Sequence, residues 1–421
     1  MADEWATLPL GDLTVNFDGR RVPVKESDRK QGPYPYYGAS GIVDHVDGYI
    51  FDGDYLLIAE DGENLRTRQT PVAFIATGKF WVNNHAHIVR GNERATTRFL
   101  HYALAATDIS GYLTGSTMPK LTQANMNRIP VVAPPLPEQK RIAHILGTLD
   151  DKIDLNRRMN ATLEAMSRAI FKSWFVDFDP VRQKAAGKPP VGMDAKTAAL
   201  FPDSFGDSEI GEVPRGWAIQ PVESLCEFVT SGGTPARKTA DYWEGGDVSW
   251  FKTGELLDGP LLESEEKITQ KGLENSSCKL WPQNTVLFAL YASPTVGRLG
   301  VLTQPATANQ AAAALKAKPE YGTSFLVNVL LDARNKLQRI AVGAAQQNIN
   351  QGILKAHAVV APPPQLAAMF SQWADQVFSQ RTALAGQSAT LAALRDTLLP
   401  KLLSGELRVP EAEQTIEEAT A

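Results

Sequence analysis

The sequence is poor in cysteine and has no long hydrophobic run. Cys226 and Cys278 are its only cysteines, and neither belongs to a metal-ligand spacing. A disulfide framework and a cysteine-based metal site are therefore not expected, and a reducing compartment suits the chain. No apolar segment approaches the ~20 residues that a membrane-spanning helix needs. Residues 1–5 also lack the basic and apolar regions of a secretory signal, so we expect a cytoplasmic protein.

The motifs of common enzyme classes are missing as well. The chain has no Gly-rich phosphate loop of the G-x-x-x-x-G-K type and no Gly-x-Ser-x-Gly nucleophile elbow. His85 and His87 offer two metal ligands, but no cysteine or carboxylate cluster nearby completes a site. We therefore expect no bound metal and interpret the two histidines as the polar face of a strand pair. These absences favour a binding protein over an enzyme.

An excess of basic residues is also absent. The formal net charge is −5, which argues mildly against nucleic-acid binding because phosphate neutralisation usually leaves a basic footprint. However, residues 410–421 carry four glutamates and no base, and without them the chain is close to neutral. A near-neutral protein still binds DNA if a partner supplies part of the basic surface. Charge therefore leaves the question open.

An internal repeat is the most informative feature that is present. Residues 131–135, Val-Val-Ala-Pro-Pro, recur as residues 359–363 at an offset of 228. The same offset relates residues 161–163, Ala-Thr-Leu, to residues 389–391. An offset that persists without a gap predicts a duplicated unit.

Each copy of the repeat opens a long predicted helix with one apolar seam. Pro134, Pro135 and Pro137 begin the first helix, and Glu138 lies where the helix dipole favours a carboxylate. Apolar residues then recur at steps of four and three, a pattern typical of paired helices. The predicted packing residues are Ile142, Leu146, Leu149, Ile153, Leu163, Ile170, Phe370, Val377, Leu384, Leu391 and Leu398. At ~1.5 Å per residue each helix would be roughly 55–60 Å long, so we expect the two to pack antiparallel.

Some features of these helices allow more than one interpretation. Asn156 and Asn160 fall on the seam and either lie on a solvated face or are buried and set the register. The first helix is predicted to end near residues 178–180, because a proline disfavours helix in the residue before it. Pro400 would cost about 3 kcal/mol inside the second helix, so we expect a kink or an early stop near Leu399.

The rest of the chain divides into strand-rich and polar parts. Short apolar runs between Gly, Asp and Tyr predict strand-rich domains at 1–133 and 216–361. These domains share little identity, and we expect them to be dissimilar. The other predicted segments are a first long helix at 134–180, a linker at 181–215, a second long helix at 362–409 and an acidic disordered tail at 410–421. The predicted fold class is α+β: two strand-rich globular domains separated by two long antiparallel helices that form a coiled coil, with a pseudo-two-fold internal repeat.

Four segments resemble one protein family. Residues 134–143 (PPLPEQKRIA) and 171–180 (FKSWFVDFDP) resemble the central block of type I restriction-modification specificity subunits. Residues 209–217 (EIGEVPRGW) are similar to the start of their second target-recognition domain, and residues 394–407 (LRDTLLPKLLSGEL) to the end of their second helix. Residues 364–370 lack the Glu-Gln of the first copy, which weakens the symmetry of the helix start. With the duplication, the resemblance covers nearly the whole chain.

The resemblance implies a non-catalytic subunit that recognises a bipartite sequence in double-stranded DNA. The strand-rich domains would be target-recognition domains, one for each half-site, and the helices would set the spacing. The implied partners are two methyltransferase (modification) subunits, which bring S-adenosylmethionine, and two ATP-dependent restriction subunits. We expect no cofactor on this chain itself and no membrane partner.

The candidate DNA contacts are basic and amide side chains in predicted loops. Phosphates are bound by Lys, Arg and small donors, whereas base edges are recognised by Arg, Lys, Asn or Gln. The first domain offers Arg29, Lys30, Tyr36, Tyr37, Arg66, Arg68, Asn83, Asn84, His85, Ser116, Thr117 and Lys120. The second domain offers Ser231, Thr234, Arg237, Lys252, Arg298, Gln346, Gln347 and Asn348. Tyr36 and Tyr37 are equally suited to a core, and residues 346–348 to a polar turn.

A second function class stays open on the sequence. A structural or regulatory coiled-coil scaffold, whose globular ends bind protein partners, would also have long paired helices. The acidic balance and the lack of a basic run favour this alternative. Binding to a DNA duplex at low salt separates the two classes, because phosphate contacts are strongest there.

Overall fold

The chain forms two compact units, and both chain ends belong to the first. Unit 1 comprises Met1–Asp154 and Ala389–Ala421, and unit 2 comprises Leu155–Ser388. The structure, a computed structural model, describes residues 5–291, 294–341 and 348–420. Within these ranges no helix is long and apolar enough to cross a membrane.

The strands and helices follow the chain in four stretches. The first contains β1 (Ala6–Pro9), β2 (Thr14–Asn16), β3 (Gln31–Gly38), β4 (Gly41–Val46), β5 (Phe51–Asp52), β6 (Tyr55–Ala59), α1 (Asn64–Thr67), β7 (Ala73–Ala76), β8 (Lys79–Val82), β9 (Ala86–Gly91), α2 (Thr97–Ala106), α3 (Gln123–Met126) and β10 (Pro130–Ala133). The second contains α4 (Leu136–Phe175), α5 (Asp179–Ala185) and α6 (Ala195–Ala199). The third contains β11 (Phe205–Gly206), β12 (Val213–Pro214), β13 (Ala218–Pro221), β14 (Cys226–Ser231), β15 (Val248–Phe251), β16 (Gly259–Leu261), β17 (Glu266–Ile268), α7 (Gln270–Glu274), β18 (Thr285–Ala289), β19 (Leu299–Leu302), β20 (Thr307–Ala308), β21 (Ala312–Ala317), α8 (Thr323–Ala341), α9 (Gln351–Ala356) and β22 (Ala358–Ala361). The fourth contains α10 (Pro364–Ser404) and α11 (Val409–Thr420).

Unit 1 is built on two four-stranded sheets. The first has the order β2-β9-β6-β7 with antiparallel pairs, and the second has the order β4-β3-β8-β5 with β3 and β8 parallel. All five residues of β6 are buried because the strand is covered on both faces. Leu56 and Ile58 belong to one apolar cluster, whereas Tyr55 and Leu57 belong to another, as the alternation of a strand requires. β1 pairs with β10 just before α4 begins.

The strand-rich part of unit 2 repeats this strand order. Its larger sheet is β14-β21-β18-β19-β16, which matches β2-β9-β6-β7 with one added edge strand. Its smaller sheet, β17-β15-β20, matches β4-β3-β8, and each contains one antiparallel and one parallel pair. β13 pairs with β22 as β1 pairs with β10. The two globular parts thus share little sequence identity but one strand order, because strand order depends on where apolar residues lie rather than on which they are.

Helices α4 and α10 contribute to both units and pack antiparallel. Within unit 2, Asn156 lies beside Gln387, and fifteen residues later Phe171 lies beside Phe370, with ring centroids 5.7 Å apart. The buried members of the predicted seam are Ile142, Leu146, Leu149, Ile153, Phe370, Leu391 and Leu398. The half-buried members are Leu163, Ile170, Val377 and Leu384, and all four belong to unit 2.

Asn156 is buried, so the second of its two interpretations applies. Its side chain has no exposed surface, and Nδ2 donates a hydrogen bond to Oε1 of Gln387 at 2.9 Å. Among the described residues its Oδ1 has no hydrogen-bond partner, and neither has Oδ1 of the half-buried Asn160. A buried amide with one partner disfavours any other register, at a cost in stability.

The end of the first long helix differs from the prediction. α4 ends at Phe175 rather than at residues 178–180, and Phe178 adopts the left-handed conformation with φ of 57°. Pro180 then lies in the first turn of α5, where its fixed φ fits and its missing N–H costs nothing. The proline that was expected to stop one helix begins the next.

The segment 181–215 is folded, so the predicted linker is wrong. It contains most of α5, all of α6 and the paired strands β11 and β12. Val181 and Phe201 are buried in the same apolar cluster as Trp217. Its Pro- and Gly-rich composition is typical of a linker, but a few buried side chains suffice to order a polar segment.

The early stop predicted near Leu399 does not occur. α10 continues through Pro400 to Ser404, and Gly405, with a φ of 74°, follows the helix end. Leu398 and Leu402 are buried on either side of the proline, and their packing offsets the lost backbone hydrogen bond.

The acidic tail is helical rather than disordered. α11 begins at Val409, and Val409, Ala412 and Ile416 pack on the unit 1 core at steps of three and four. The four glutamates are exposed. The tail was predicted to be disordered from its charge alone, and its narrow apolar stripe was missed.

Candidate nucleic-acid interface

The connection from β2 to β3, residues 17–30, is fastened to the smaller sheet of unit 1 by Tyr36. The Tyr36 side chain is 1% exposed, and its hydroxyl accepts a hydrogen bond from the Val24 N–H at 3.0 Å. The guanidinium carbon of Arg29 lies 4.5 Å from the centroid of the Tyr36 ring, and Arg29 Nη1 lies 3.2 Å from Oδ2 of Asp44. Of the two interpretations of Tyr36, the structure therefore favours a core residue, and Arg29 is held by internal partners. Lys30 is exposed.

Tyr37 is also largely internal. Its ring packs against Phe74 and Phe80, with centroids 5.6 and 5.5 Å apart, and burial raises the pKa of its hydroxyl. The structure therefore favours the core interpretation of this residue too.

Arg66 and Arg68 are exposed, but both contact protein groups. Arg66 lies 3.3 Å from the carboxylate of Glu63. Arg68 has a positive φ of 53° and donates hydrogen bonds to the carbonyls of Ala105, at 3.0 Å, and Thr107. Because those carbonyls lie at the C-terminus of α2, Arg68 stabilises a helix end in this structure.

The remaining candidates of the first domain lie on two segments that the fold brings together. Asp61 forms a β-bridge with Lys120, and its carboxylate lies 2.8 Å from Nδ1 of His85. Lys120 also lies 3.3 Å from the carboxylate of Glu60, and Oδ1 of Asn83 accepts a hydrogen bond from the His85 N–H. Their exposed members form what we call the loop surface: Asn84, His85, Ser116, Thr117 and Lys120. The sequence did not indicate that these residues, some thirty positions apart, share one surface.

A buried charged pair underlies the loop surface. His87 is 2% exposed, its Nδ1 lies 2.5 Å from Oδ2 of Asp18, and its Nε2 lies 2.8 Å from the Leu121 carbonyl oxygen. Both ring nitrogens face acceptors, an arrangement that suits the doubly protonated ring. Burial alone would lower the pKa of His87, but the bonds to Asp18 and Leu121 outweigh it and raise that pKa. His87 therefore ties β9 to the segment that carries Lys120.

The two histidines have separate carboxylate partners. His85 lies against Asp61, whereas His87 lies against Asp18. Within the described ranges no group of three or more His, Cys, Asp or Glu residues is arranged to hold a metal ion.

In unit 2, two predicted cations share one carboxylate. Arg237 forms an ion pair with Glu266, and Nζ of Lys252 lies 3.2 Å from Glu266 and 2.7 Å from Glu265. The hydrogen bond from Arg237 holds the pKa of Glu266 below its ordinary value. The Arg237 guanidinium carbon also lies 4.7 Å from the centroid of the Trp250 ring. To contact DNA phosphates, both cations would have to exchange these carboxylates for them.

The other candidates of the second domain are less informative. Ser231 and Thr234 are half-buried, and Thr234 donates a hydrogen bond to the Gln310 side chain at 2.5 Å. Arg298 and Asn348 are half-buried. Gln346 and Gln347 lie outside the described residues.

Comparison with protein families identifies the family of this chain. The family model of the type I restriction modification DNA specificity domain matches residues 2–165 and again residues 214–367. The chain belongs to this family. The specificity domain thus occurs twice, once in each strand-rich part, and it extends in both copies into the long helix that follows.

Relatives of known identity are similar to this specificity subunit over most of its length. The HindI specificity subunit of Haemophilus influenzae is 26% identical over 405 residues, which cover 85% of this chain and 84% of that protein. The MjaIX specificity subunit of Methanocaldococcus jannaschii is 24% identical, with 97% and 94% covered. The crystal structure of a type I restriction-modification S subunit from M. genitalium has a TM-score of 0.59 at 13% identity, with 94% and 96% covered. The predicted family and the α+β fold with a duplicated domain are confirmed.

Proposed function

We propose that this specificity subunit recognises a bipartite DNA sequence, with residues 1–133 bound to one half-site and residues 216–361 to the other. The observation that supports this most is one strand order with different side chains at matching positions. Glu60 follows β6 and His87 lies on β9, whereas the matching positions after β18 and on β21 are Leu290 and Ala313, both buried. Two domains of one fold with different side chains suit two different half-sites.

The two long helices would set the distance between the half-sites. α4 has 40 residues and α10 has 41, so each is about 60 Å long at 1.5 Å per residue. Half-sites one helical turn apart are separated by about 34–36 Å. The helices are therefore long enough to span that distance and still offer surface to partner proteins.

The duplicated domain also suits a symmetric assembly, because two similar surfaces bind two identical partners. We propose two methyltransferase (modification) subunits, which would carry S-adenosylmethionine, and two ATP-dependent restriction subunits. In this assembly the specificity subunit would hold no cofactor and would not catalyse methyl transfer.

A domain exchange tests the bipartite proposal. Residues 1–133 are replaced by the corresponding part of another specificity subunit, and the genome of a host that expresses the variant with its methyltransferase is sequenced for methylated bases. We expect one half of the methylated sequence to change and the other to stay. The matched variant, with residues 216–361 exchanged, should change the other half only.

Two outcomes would reject the proposal. If either exchange leaves both halves unchanged, or alters both, the domains do not recognise separate half-sites. If the wild-type chain binds no DNA duplex at low salt, alone or with the methyltransferase, the scaffold alternative is favoured instead.

A further inference from the structure

Each unit contains an Arg-Lys dipeptide in the same connection of its fold. Arg29-Lys30 ends the connection from β2 to β3, residues 17–30, and Arg237-Lys238 lies in the matching connection from β14 to β15, residues 232–247. The offset between the dipeptides is 208, which differs from that of the helices, so the sequence alignment did not pair them.

The two arginines share two kinds of partner. Arg29 stacks on Tyr36 of β3 and pairs with Asp44 of β4, and Tyr36 and Asp44 are opposite each other in the strand register. Arg237 stacks on Trp250 of β15 and pairs with Glu266 of β17, which are likewise opposite each other. Each arginine is therefore held by an aromatic residue of the strand and by a cross-strand carboxylate. Arg237 also lies over the ring of Trp243, within its own connection, at 3.9 Å from the centroid.

In each unit the aromatic residue under the arginine also forms a hydrogen bond directly to the connection. The Tyr36 hydroxyl accepts a hydrogen bond from the Val24 N–H at 3.0 Å, and Trp250 Nε1 donates one to the Gly233 carbonyl at 2.9 Å. Arg29 adds a bond from Nε to the Val24 carbonyl at 3.2 Å. Tyr36 and Trp250 are 1% and 2% exposed, so the attachment rests on the core of each unit.

The two lysines differ from the arginines in their partners. Lys30 and Lys238 are exposed, and neither has a carboxylate partner in the part of the chain that the structure describes. A lysine without a carboxylate partner on a fixed segment is well suited to bind a phosphate. Binding then costs little conformational entropy beyond that of the lysine side chain itself.

We propose that Lys30 and Lys238 each bind one DNA phosphate. Arg29 and Arg237 are positioning residues that fix the connection on which each lysine stands. Lys238 was not among the candidates from sequence, and the two arginines change from direct contacts to supports. The inference rests on the proposed function, since it assigns the residues that place each domain on its half-site.

The salt dependence of DNA binding tests the assignment. Each phosphate contact contributes about −0.9 to the slope of log K against log salt concentration. The full chain with its methyltransferase is titrated onto a mixed-sequence duplex longer than both half-sites together. We expect Lys30→Ala and Lys238→Ala each to make the slope less steep by about 0.9, so that affinity falls about 3.5-fold less between 50 and 200 mM salt. Lys196→Ala, an exposed lysine of α6, is the control and should leave the slope unchanged.

A double variant separates support from contact. If Arg29 acts through Lys30, Arg29→Ala combined with Lys30→Ala has the slope of Lys30→Ala alone, because both remove the same contact. Two independent phosphate contacts would instead reduce the steepness by about 1.8. Arg29→Lys adds a second check: it keeps the charge but loses the planar stacking, so we expect it to weaken binding as Arg29→Ala does.

The failures are distinguishable. Unchanged slopes for Lys30→Ala or Lys238→Ala overturn the phosphate assignment while the proposed function stands. Wild-type affinity and slope in Arg29→Lys, or additive slopes in the double variant, overturn the supporting role of Arg29. No binding by the wild-type complex at low salt overturns the proposed function as well.

Discussion

Gln139 offers the sharpest test of how the long helix is joined to unit 1. It lies in the first turns of α4 and has no exposed surface. Its Oε1 accepts a hydrogen bond from the Thr96 N–H at 3.0 Å, and its Nε2 donates to the carbonyls of Arg94 and Pro134 at 2.9 and 2.8 Å. One side chain therefore satisfies three backbone groups. At the equivalent position of unit 2, Ala367 is simply buried among apolar residues.

We expect Gln139→Ala to destabilise the protein by about 2–4 kcal/mol. Each lost hydrogen bond contributes about 0.5–1.5 kcal/mol, and the Pro134 carbonyl would be left buried without a partner. Gln139→Glu keeps the shape of the side chain but replaces the Nε2 donor, which bonds two carbonyls, with a carboxylate oxygen that can only accept. Burial raises the pKa of the new carboxyl above the unfolded value of about 4.3, so its protonated form is the one that fits. Stability is then retained at low pH and lost as pH rises through that raised pKa.

Urea unfolding of the full chain, followed by circular dichroism, measures both effects. Gln139→Ala should unfold at lower urea at every pH, whereas Gln139→Glu should be closer to wild type at about pH 5 than at about pH 8. Lys140→Ala, at the exposed neighbouring position, should change stability by less than about 0.5 kcal/mol. Unfolding of Gln139→Ala at the wild-type urea concentration, or no extra pH dependence in Gln139→Glu, would show that these hydrogen bonds do not stabilise the protein.

Two further predictions concern buried polar groups. Because the pKa of His87 is raised, its pairing with Asp18 stabilises the protein fully below about pH 6.5, and this stabilisation is lost as pH rises through the raised pKa. Urea midpoints of the wild type should therefore fall as pH rises from neutral, and His87→Ala should reduce that fall. A decline that persists in His87→Ala would show that another group causes it. Asn156→Leu should raise the free energy of unfolding by about 1–2 kcal/mol, because it buries apolar surface and removes a side-chain oxygen that lacks a partner among the described residues. Gln387, which loses its hydrogen bond to Asn156, is exposed and can bond to water instead. Asn156→Asp should destabilise instead, and a lower urea midpoint for Asn156→Leu would contradict the argument.

The sequence predicted features that depend on local periodicity. The constant offset of 228 and the apolar steps of three and four predicted both long helices, and Ile142, Leu146, Leu391 and Leu398 are buried. Prediction from the sequence was less successful for segments that were assigned from composition alone. The linker and the tail were judged by their proline, glycine and charge content, although Val181 and Val409 anchor them in apolar clusters.

Side-chain roles in the candidate interface were the least predictable part. Arg29, Arg68 and Arg237 have the chemistry of DNA contacts, but each is held by protein groups that are distant in sequence or on another strand. Lys238 was overlooked because its partner dipeptide lies at a different offset. The number of residues in a connection varies freely between the two domains, so alignment of their sequences does not show which positions match.

The linear sequence was sufficient to predict that this chain is duplicated, that its long helices pair and which family it resembles. Helical periodicity and repeat offsets are spacings along the chain, so they are visible in the linear sequence. The strand order shared by two domains with little identity became apparent only in the folded structure. The structure alone also showed that Arg29 and Arg237 pair with cross-strand carboxylates, whereas Lys30 and Lys238 are exposed without such a partner among the described residues. Cross-strand register brings together residues such as Tyr36 and Asp44, or Trp250 and Glu266, and a linear pattern does not encode which strands become neighbours.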